Sequence, residues 1–558
     1  MYQQVYDPIS NSLGLSSIFA VLPVITLFVL LGGFKMKAHW AGLIALAVAL
    51  VVALAVYKMP VGQAFDSAAE GAAFGLWPIM WIVVNAVWIY TMTVKTGHFQ
   101  VLRRAFGSIS NDQRIQAVII AFSFGALLEA LAGFGTPVAI TSVMLIALGF
   151  KPIKAAAVAL VANTAPVAFG AIAIPIITLS TSAGLPKDDL GAMVGRQTPF
   201  LALLVPLVLV FIVDGRRGLR ETWPAALVGG TTFAVAQFVT SNYISVELTD
   251  VVAALLSVGA LVLFLRFWRP ANTVDDIGGA RPAVAGGSVH DPEFEAEIKN
   301  RDDGPVSTRQ TLEAFSPYLV LIAVFSLAQA GPIKDFLAKA TQTFSWPGLH
   351  ITNNPPKGNP EPLMSLMFKF DILAAAGTLL LISGLITMLV LRIGPRIALQ
   401  AYGETLNQLK WAILTVASVL ALAYVMNQSG QTITMGQWVA GAGGIFALFS
   451  SAIGWLGVAI TGSDTSSNSL FGALQVTAAK DAGLSPTLLA AANSSGGVLG
   501  KMLSPQNLAI GAAAVGMTGK EGDLFRVVLK WSLLLVAIMC VIVYLQSTDV
   551  LGWMVVGP

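Results

Sequence analysis

Long apolar blocks, each close to the ~20 residues that cross a bilayer as one helix, alternate along this chain with short polar joints. Blocks at 15–34, 40–57 and 72–93 come first, and 199–213, 223–239 and 251–268 fill the middle. Blocks at 317–330, 372–391, 411–426, 437–450 and 527–544 follow. Their length and their Leu, Ala and Val content differ from the alternating strands of a membrane barrel. The pattern predicts an all-α polytopic membrane protein with about 12–14 hydrophobic segments.

Two stretches depart from this pattern in the same way. Apolar arms at 115–132 and 137–150 flank GFGT; at ~15 residues and 1.5 Å per residue, each is short for a ~30 Å hydrocarbon core. Lys151 and Lys154 follow directly, so both ends lie on one basic side. A re-entrant helical hairpin fits, and two short complete spans fit the charges equally. The next run, 155–179, contains Asn163, Pro166 and Gly170. Proline removes a helical hydrogen bond and clashes with the preceding turn, so a broken helix is expected there.

Residues 454–505 repeat this plan. Setting Gly125 against Gly454 also aligns Leu127 with Leu456, Ala130 with Ala459, Gly133 with Gly462 and Thr136 with Thr465, at an offset of 329. After one gap, Asn163 meets Asn493, Thr164 meets Ser494, Gly170 meets Gly500 and Pro175 meets Pro505, at an offset of 330. The tips are AGFGTP and TGSDTSSN, and the later runs are interrupted at NTAPVAFG and NSSGGVLG. The expectation is two structural repeats, 125–175 and 454–505, each with a re-entrant hairpin and a broken helix. Paired interruptions of this kind mark a transporter's binding site. An inverted relation needs an odd number of crossings between the repeats, and the blocks counted here give an even number; either one block is miscounted or the repeats are parallel.

Composition agrees with a membrane protein: 56% of the 558 residues are hydrophobic and 11% charged, with a mean hydropathy of +0.77. The net charge of +3 is spread over loops rather than gathered in a patch, which gives nucleic acid little to bind. Cys540 is the single cysteine, so no intrachain disulfide forms. The first apolar block has no basic residue before it and no obvious cleavage site, which reads as an uncleaved first span. Basic joints at Lys35 and Lys37, at Lys95 to Arg114, at Arg216 to Arg220 and at Arg266 to Arg269 are assigned to the cytoplasm by the positive-inside rule, and the N-terminus to the outside. The domain plan is an N-terminal membrane half, 1–269, a polar cytoplasmic linker, 270–312, and a C-terminal membrane half, 313–558. Residues 331–370 read as a loop. Oligomeric state has no signature in the sequence.

Candidate chemistry follows from the cost of the bilayer. Non-helical backbone is tolerated at membrane depth only when buried or lining a cavity, so four breaks predict one central polar cavity. Helix N-termini exposed at breaks carry partial positive charge and free N–H groups, which suit a carboxylate. Gly133, Gly135, Thr136, Asn163, Thr164, Thr461, Gly462, Ser463, Thr465, Ser466, Asn493, Ser494 and Ser495 are the candidate substrate-binding residues, with Asn468 beside them. Small polar residues also join membrane helices without binding anything. The charges within the hairpin arms, tips and breaks of the repeats, apart from the joints at Lys151, Lys154, Lys480 and Asp481, are Glu129, Asp464 and Lys501. A carboxyl group withdrawn from water tends to take up a proton, so Glu129 and Asp464 are candidate proton carriers. Glu129 could instead pair with Lys501, and Asp464 could cap the helix that starts at TSSNSLFGAL. Lys501 could bind a substrate carboxylate or extend to an interface. All four histidines lie in loops or at block ends, which speaks against a metal site or histidine relay. With no Walker A sequence, the energy source is an ion gradient. No cofactor and no catalytic residue are expected.

The same residues carry a resemblance. GALLEALAGFGTPVAIT, NTAPVAFGAIAIP, MVGRQTPF, GWLGVAITGSDTSSNSLFGALQ, and GKMLSPQNLAIGAAAVG with GKEGDLFR, resemble the L-lactate permease family of bacterial secondary transporters. The likeness runs nearly end to end, from the opening YDP onwards, and the motifs are long and specific. It implies uptake of L-lactate, with D-lactate and glycolate, together with protons across the bacterial inner membrane. It also implies hairpins and broken helices set in a mobile transport domain. A carrier coupled to Na+ or for another small carboxylate fits the residues as well. A redox-complex subunit would show charges spaced along several spans, and a membrane transferase a catalytic loop; neither feature is present.

Overall fold

The computed structural model describes residues 2–557 except 35, 108, 111, 134, 273–306, 329, 355–361, 364–365 and 518–519. Most of the expected linker and His290 therefore lie outside the described residues. The chain is almost wholly helical. Among the described residues, ten helices are long and apolar enough to cross a membrane, and a pair bent by 62°, Pro152–Ala162 with Val167–Ala183, brings the number to eleven. The shorter apolar helices Thr136–Ile146 and Ala376–Val390 complete the set of hydrophobic segments.

The sequence halves interleave. Ala38–Ala55, Val61–Phe74 and Trp81–Lys95 from the first half pack on the long helix Pro395–Ser429 of the second. Glycine makes this possible where backbones touch: a Cβ on Gly71 would stand 2.8 Å from the Ala421 Cα. The blocks expected at 199–213 and 223–239 form one element, Thr198–Tyr243, folded back at Asp214 and Gly215, where Gly215 takes a φ of 62°. A positive φ is nearly free for glycine and costly for other residues. That bend packs on the first hairpin through Arg114, fully buried, which reaches Asp112 (2.7 Å), Asp214 (3.2 Å) and Glu221 (2.7 Å).

Three expectations are corrected. Residues 437–450 do not form a span: Gln431–Ala440 ends at a Gly-rich turn, and Phe446–Thr461 then runs on to the second hairpin tip. Residues 331–370 are more than a loop, since they hold the helix Gly331–Ala338 and strand Thr341–Ser345, which pairs antiparallel with Met367–Asp371. Ile351–Thr352 also pairs in parallel with Tyr2–Gln3. Finally, NSSGGVLG does not break its helix. Pro486–Gly500 is continuous, and the break falls at Lys501–Leu503 and Ser504, before Pro505–Ala514. Gly496 and Gly500 serve packing instead, because a Cβ on either would meet the backbone of Phe446–Thr461 at Ser451 or Trp455.

Candidate functional site

Both hairpin tips turn on glycine. Phe446–Thr461 ends at Gly462, with φ 77°, and Thr136–Ala147 starts from Gly135, with φ 84°. These left-handed positions stop the helices abruptly and leave short helical ends directed inward. The first break is deeper: after the turn at 163–166, Ala171, Ile172 and Ala173 hold φ values of 45°, 56° and 57°. Left-handed alanine and isoleucine cost roughly 1–2 kcal/mol each, so the surrounding packing imposes this conformation. The second arm of each hairpin packs against the broken element that follows the other hairpin. Thr136–Ala147 lies on Pro505–Ala514, and Asp464–Asp481 lies on Gly170–Ala183.

Tips and breaks meet at one cavity of about 1040 Å³. Its wall includes Glu129, Gly133, Gly170, Ala171, Thr461, Gly462, Ser463, Asp464, Thr465, Ser466 and Lys501. The exposed residues Lys37, Trp411 and Gly522 mark its mouth, where Trp411 stacks on His39 with ring centroids 4.5 Å apart.

Charges far apart in the sequence come together here. Lys501 Nζ lies 2.6 Å from Glu129 Oε1, and Asn163 Nδ2 donates to Glu129 Oε2 at 2.9 Å. Both carboxylate oxygens of Glu129 are thus engaged, which is how a buried charge is tolerated. Glu129 and Lys501 form an ion pair, and Lys501 is buried rather than extended to an interface. Asp464 differs. Its Oδ2 accepts from Ser494 Oγ (2.5 Å) and Asn468 Nδ2 (3.2 Å), while its buried Oδ1 has no hydrogen-bond partner. The cap of Asp464–Asp481 is not Asp464 but Ser463, whose hydroxyl accepts from the Ser466 N–H at 3.2 Å. Asp464 instead occupies the first turn, where the helix dipole offsets part of the cost of a negative charge. A glycine underlies each carboxylate: a Cβ on Gly170 would stand 2.8 Å from Glu129 Oε1, and one on Gly497 would collide with Asp464 Oδ1.

The N-termini of Asp464–Asp481 and Pro505–Ala514 face the cavity beside Lys501, and those of Ala38–Ala55 and Glu521–Gln546 lie at its mouth. Ser504 caps the second, and Gln506 and Asn507 reach the wall. Asn507 Nδ2 donates to the Lys501 carbonyl (3.2 Å) and to Ser504 Oγ (2.8 Å), which fixes the Lys501 turn. The sequence reading missed these three, although Ser before Pro is a helix-start signal.

Several expected residues stand behind the wall rather than in it. Asn163 acts through Glu129, and Ser494 through Asp464. Asn493 is one step further back and donates to Asn468 Oδ1 at 2.9 Å. Thr164 donates to the Val161 carbonyl at 2.7 Å, and the buried Ser495 hydroxyl has no partner. Gly135 packs on Asn507 and Ile510; neither it nor Thr136 lines the cavity. Among the described residues, no group of three or more His, Cys, Asp or Glu side chains could hold a metal ion.

A profile of the L-lactate permease family matches residues 16–549. The Glycolate permease GlcA of Escherichia coli (strain K12) is 45% identical over 99% of both chains. The L-lactate permease of Bacillus subtilis (strain 168) is 43% identical over 99% of this chain and 100% of its own, and that of Escherichia coli (strain K12) is 43% identical over 100% of both.

Proposed function

Because the chain belongs to the L-lactate permease family and is a multi-pass protein of the bacterial inner membrane, we propose that it imports L-lactate, and with it D-lactate and glycolate, in symport with protons. The observation that carries this reading is the cavity wall, where one lysine, held by Glu129, stands beside two helix N-termini and a row of hydroxyls. A monocarboxylate needs one positive locus, which Lys501 and the N-terminal N–H groups supply. Thr461, Ser463, Thr465 and Ser466 are placed to recognise a 2-hydroxyl group. Asp464, whose Oδ1 lacks a donor, is the favoured proton carrier, and Glu129 sets the charge and position of Lys501.

The crossed packing of the hairpins supports an inverted relation between the repeats. With 437–450 removed from the count, seven crossings separate them, an odd number. The first hairpin then enters from the cytoplasmic side and the second from outside, and the mouth at Lys37 opens to the cytoplasm. In this reading the second half of each broken element, Gly170–Ala183 or Pro505–Ala514, is the neighbour of the opposite hairpin.

Reconstituted protein tests the assignment. Labelled lactate is expected to accumulate under an inward proton gradient and not under a sodium gradient alone; sodium-driven accumulation would replace the proton in this reading. Asp464→Asn keeps the acceptor toward Ser494 and is expected to lose uphill accumulation while lactate-for-lactate exchange persists; normal accumulation would remove Asp464 from the coupling step. Glycolate is expected to compete strongly with lactate, propionate weakly, and succinate or citrate hardly at all. No arginine lines the described cavity, and a site built to bond a hydroxyl rejects analogues that lack it. Strong competition by succinate would instead favour a dicarboxylate carrier.

A further inference from the structure

A second buried carboxylate lies on another face of the first break. Asp250 begins the helix Thr249–Phe267 and is completely buried. Its Oδ1 accepts from Gln237 Nε2 at 3.2 Å, and its Oδ2 has no hydrogen-bond partner. The same Gln237 Nε2 lies 3.4 Å from the carbonyl of Ala165, inside the 163–166 turn, and Thr198 Oγ1 donates to Gln237 Oε1 at 3.0 Å. That turn is therefore held from two sides, by Glu129 through Asn163 and by Asp250 through Gln237.

We infer that Asp250 is a second proton-binding site of the carrier, coupled through Gln237 and the 163–166 turn to the Glu129–Lys501 pair. The inference rests on the proton-symport reading above. An ionised carboxylate with one oxygen lacking any donor is costly in a dry interior, and a proton on Oδ2 removes that cost. The ionised form is not forbidden, however, because Asp250 sits in the first turn of a helix, where the dipole favours negative charge. A buried carboxyl group with one unpartnered oxygen at a helix's first turn offers a place where a carrier can bind a proton and from which the dipole helps to release it. The charged groups around it are few. Glu129, on the neighbouring hairpin arm, acts on it as a like charge. Lys187 and Glu247, which pair with each other near the start of the same helix, are already matched. Thr198–Tyr243 presents the neutral Gln237 and Thr198. The Lys501 ammonium is committed to Glu129; when a substrate carboxylate draws Lys501 away, the uncompensated charge on Glu129 repels a second negative charge at Asp250. Substrate and proton thus favour each other's binding.

Wild-type and Asp250→Asn carriers in proteoliposomes test this. For each proton coupled to it, lactate accumulates roughly tenfold per unit of imposed pH gradient. Wild type is expected to show this, whereas Asp250→Asn, nearly isosteric with the protonated acid, exchanges lactate but accumulates little above equilibrium. Asp250→Glu, which keeps a carboxyl group, restores accumulation with a displaced pH profile. Infrared pH-difference spectra read the carboxyl group directly, whether or not a variant transports: a titrating C=O band present in wild type and missing from Asp250→Asn is expected. Identical spectra, or full uphill uptake by Asp250→Asn, would overturn the inference by making Asp250 a permanently neutral packing group. Failure of wild type itself to accumulate lactate under a proton gradient would overturn the symport reading instead.

Discussion

Lys501→Ala is expected to lower lactate uptake by roughly a hundredfold or more, and to destabilise the protein as well, because removing one member of a buried ion pair costs about 3–5 kcal/mol. The alanine leaves Glu129 with only Asn163 as a donor in a buried site. The double variant Glu129→Gln with Lys501→Met separates stability from transport. Replacing a buried pair by neutral groups of similar volume is often harmless to folding, so thermal melting in detergent is expected to recover. Uptake is not, because no ammonium is left to meet the substrate carboxylate. Wild-type uptake by the double variant would show that the pair only packs the repeats together.

The apolar blocks were legible because a lipid-crossing helix must be apolar along its whole length, a requirement visible in one dimension. The hairpin tips were legible for a related reason, since GFGT and TGSD place glycine where the chain needs positive φ. Glycine also misled. NSSGGVLG reads as a break by the rules of soluble helices, yet in a membrane small residues four apart, here Gly496 and Gly500, mark close helix contact. The reverse error occurred at 437–450, where GAGG ends a helix inside a block that composition alone joins together. The Glu129–Lys501 pair spans 372 positions; sequence could name the two charges but not the fold that joins them. Asp250 was hidden by its place at the edge of an apolar block, where a carboxylate looks like a loop residue, and only the packing of Gln237 against Ala165 reveals it as interior.

Gly454→Ala, Gly496→Ala and Gly500→Ala are each expected to disrupt the second repeat. Phe446–Thr461 and Pro486–Gly500 touch backbone to backbone along this seam. A Cβ on Gly454 would strike the Asn493 carbonyl, one on Gly496 the Ser451 carbonyl, and one on Gly500 the Trp455 carbonyl. No side-chain rotamer relieves such contacts, so the helices must separate, and overpacking of this kind costs about 1–3 kcal/mol or more. Separation reaches the cavity directly, because Pro486–Gly500 carries Ser494, the donor to Asp464, and leads into Lys501. Each variant is therefore expected to melt at a lower temperature than wild type and to retain at most roughly a tenth of its uptake. Gly259→Ala and Gly403→Ala serve as controls, since nothing lies within 4 Å of a Cβ at either position, and both should behave as wild type. Full stability and uptake in the Gly454 and Gly500 variants would mean that the two helices have room between them.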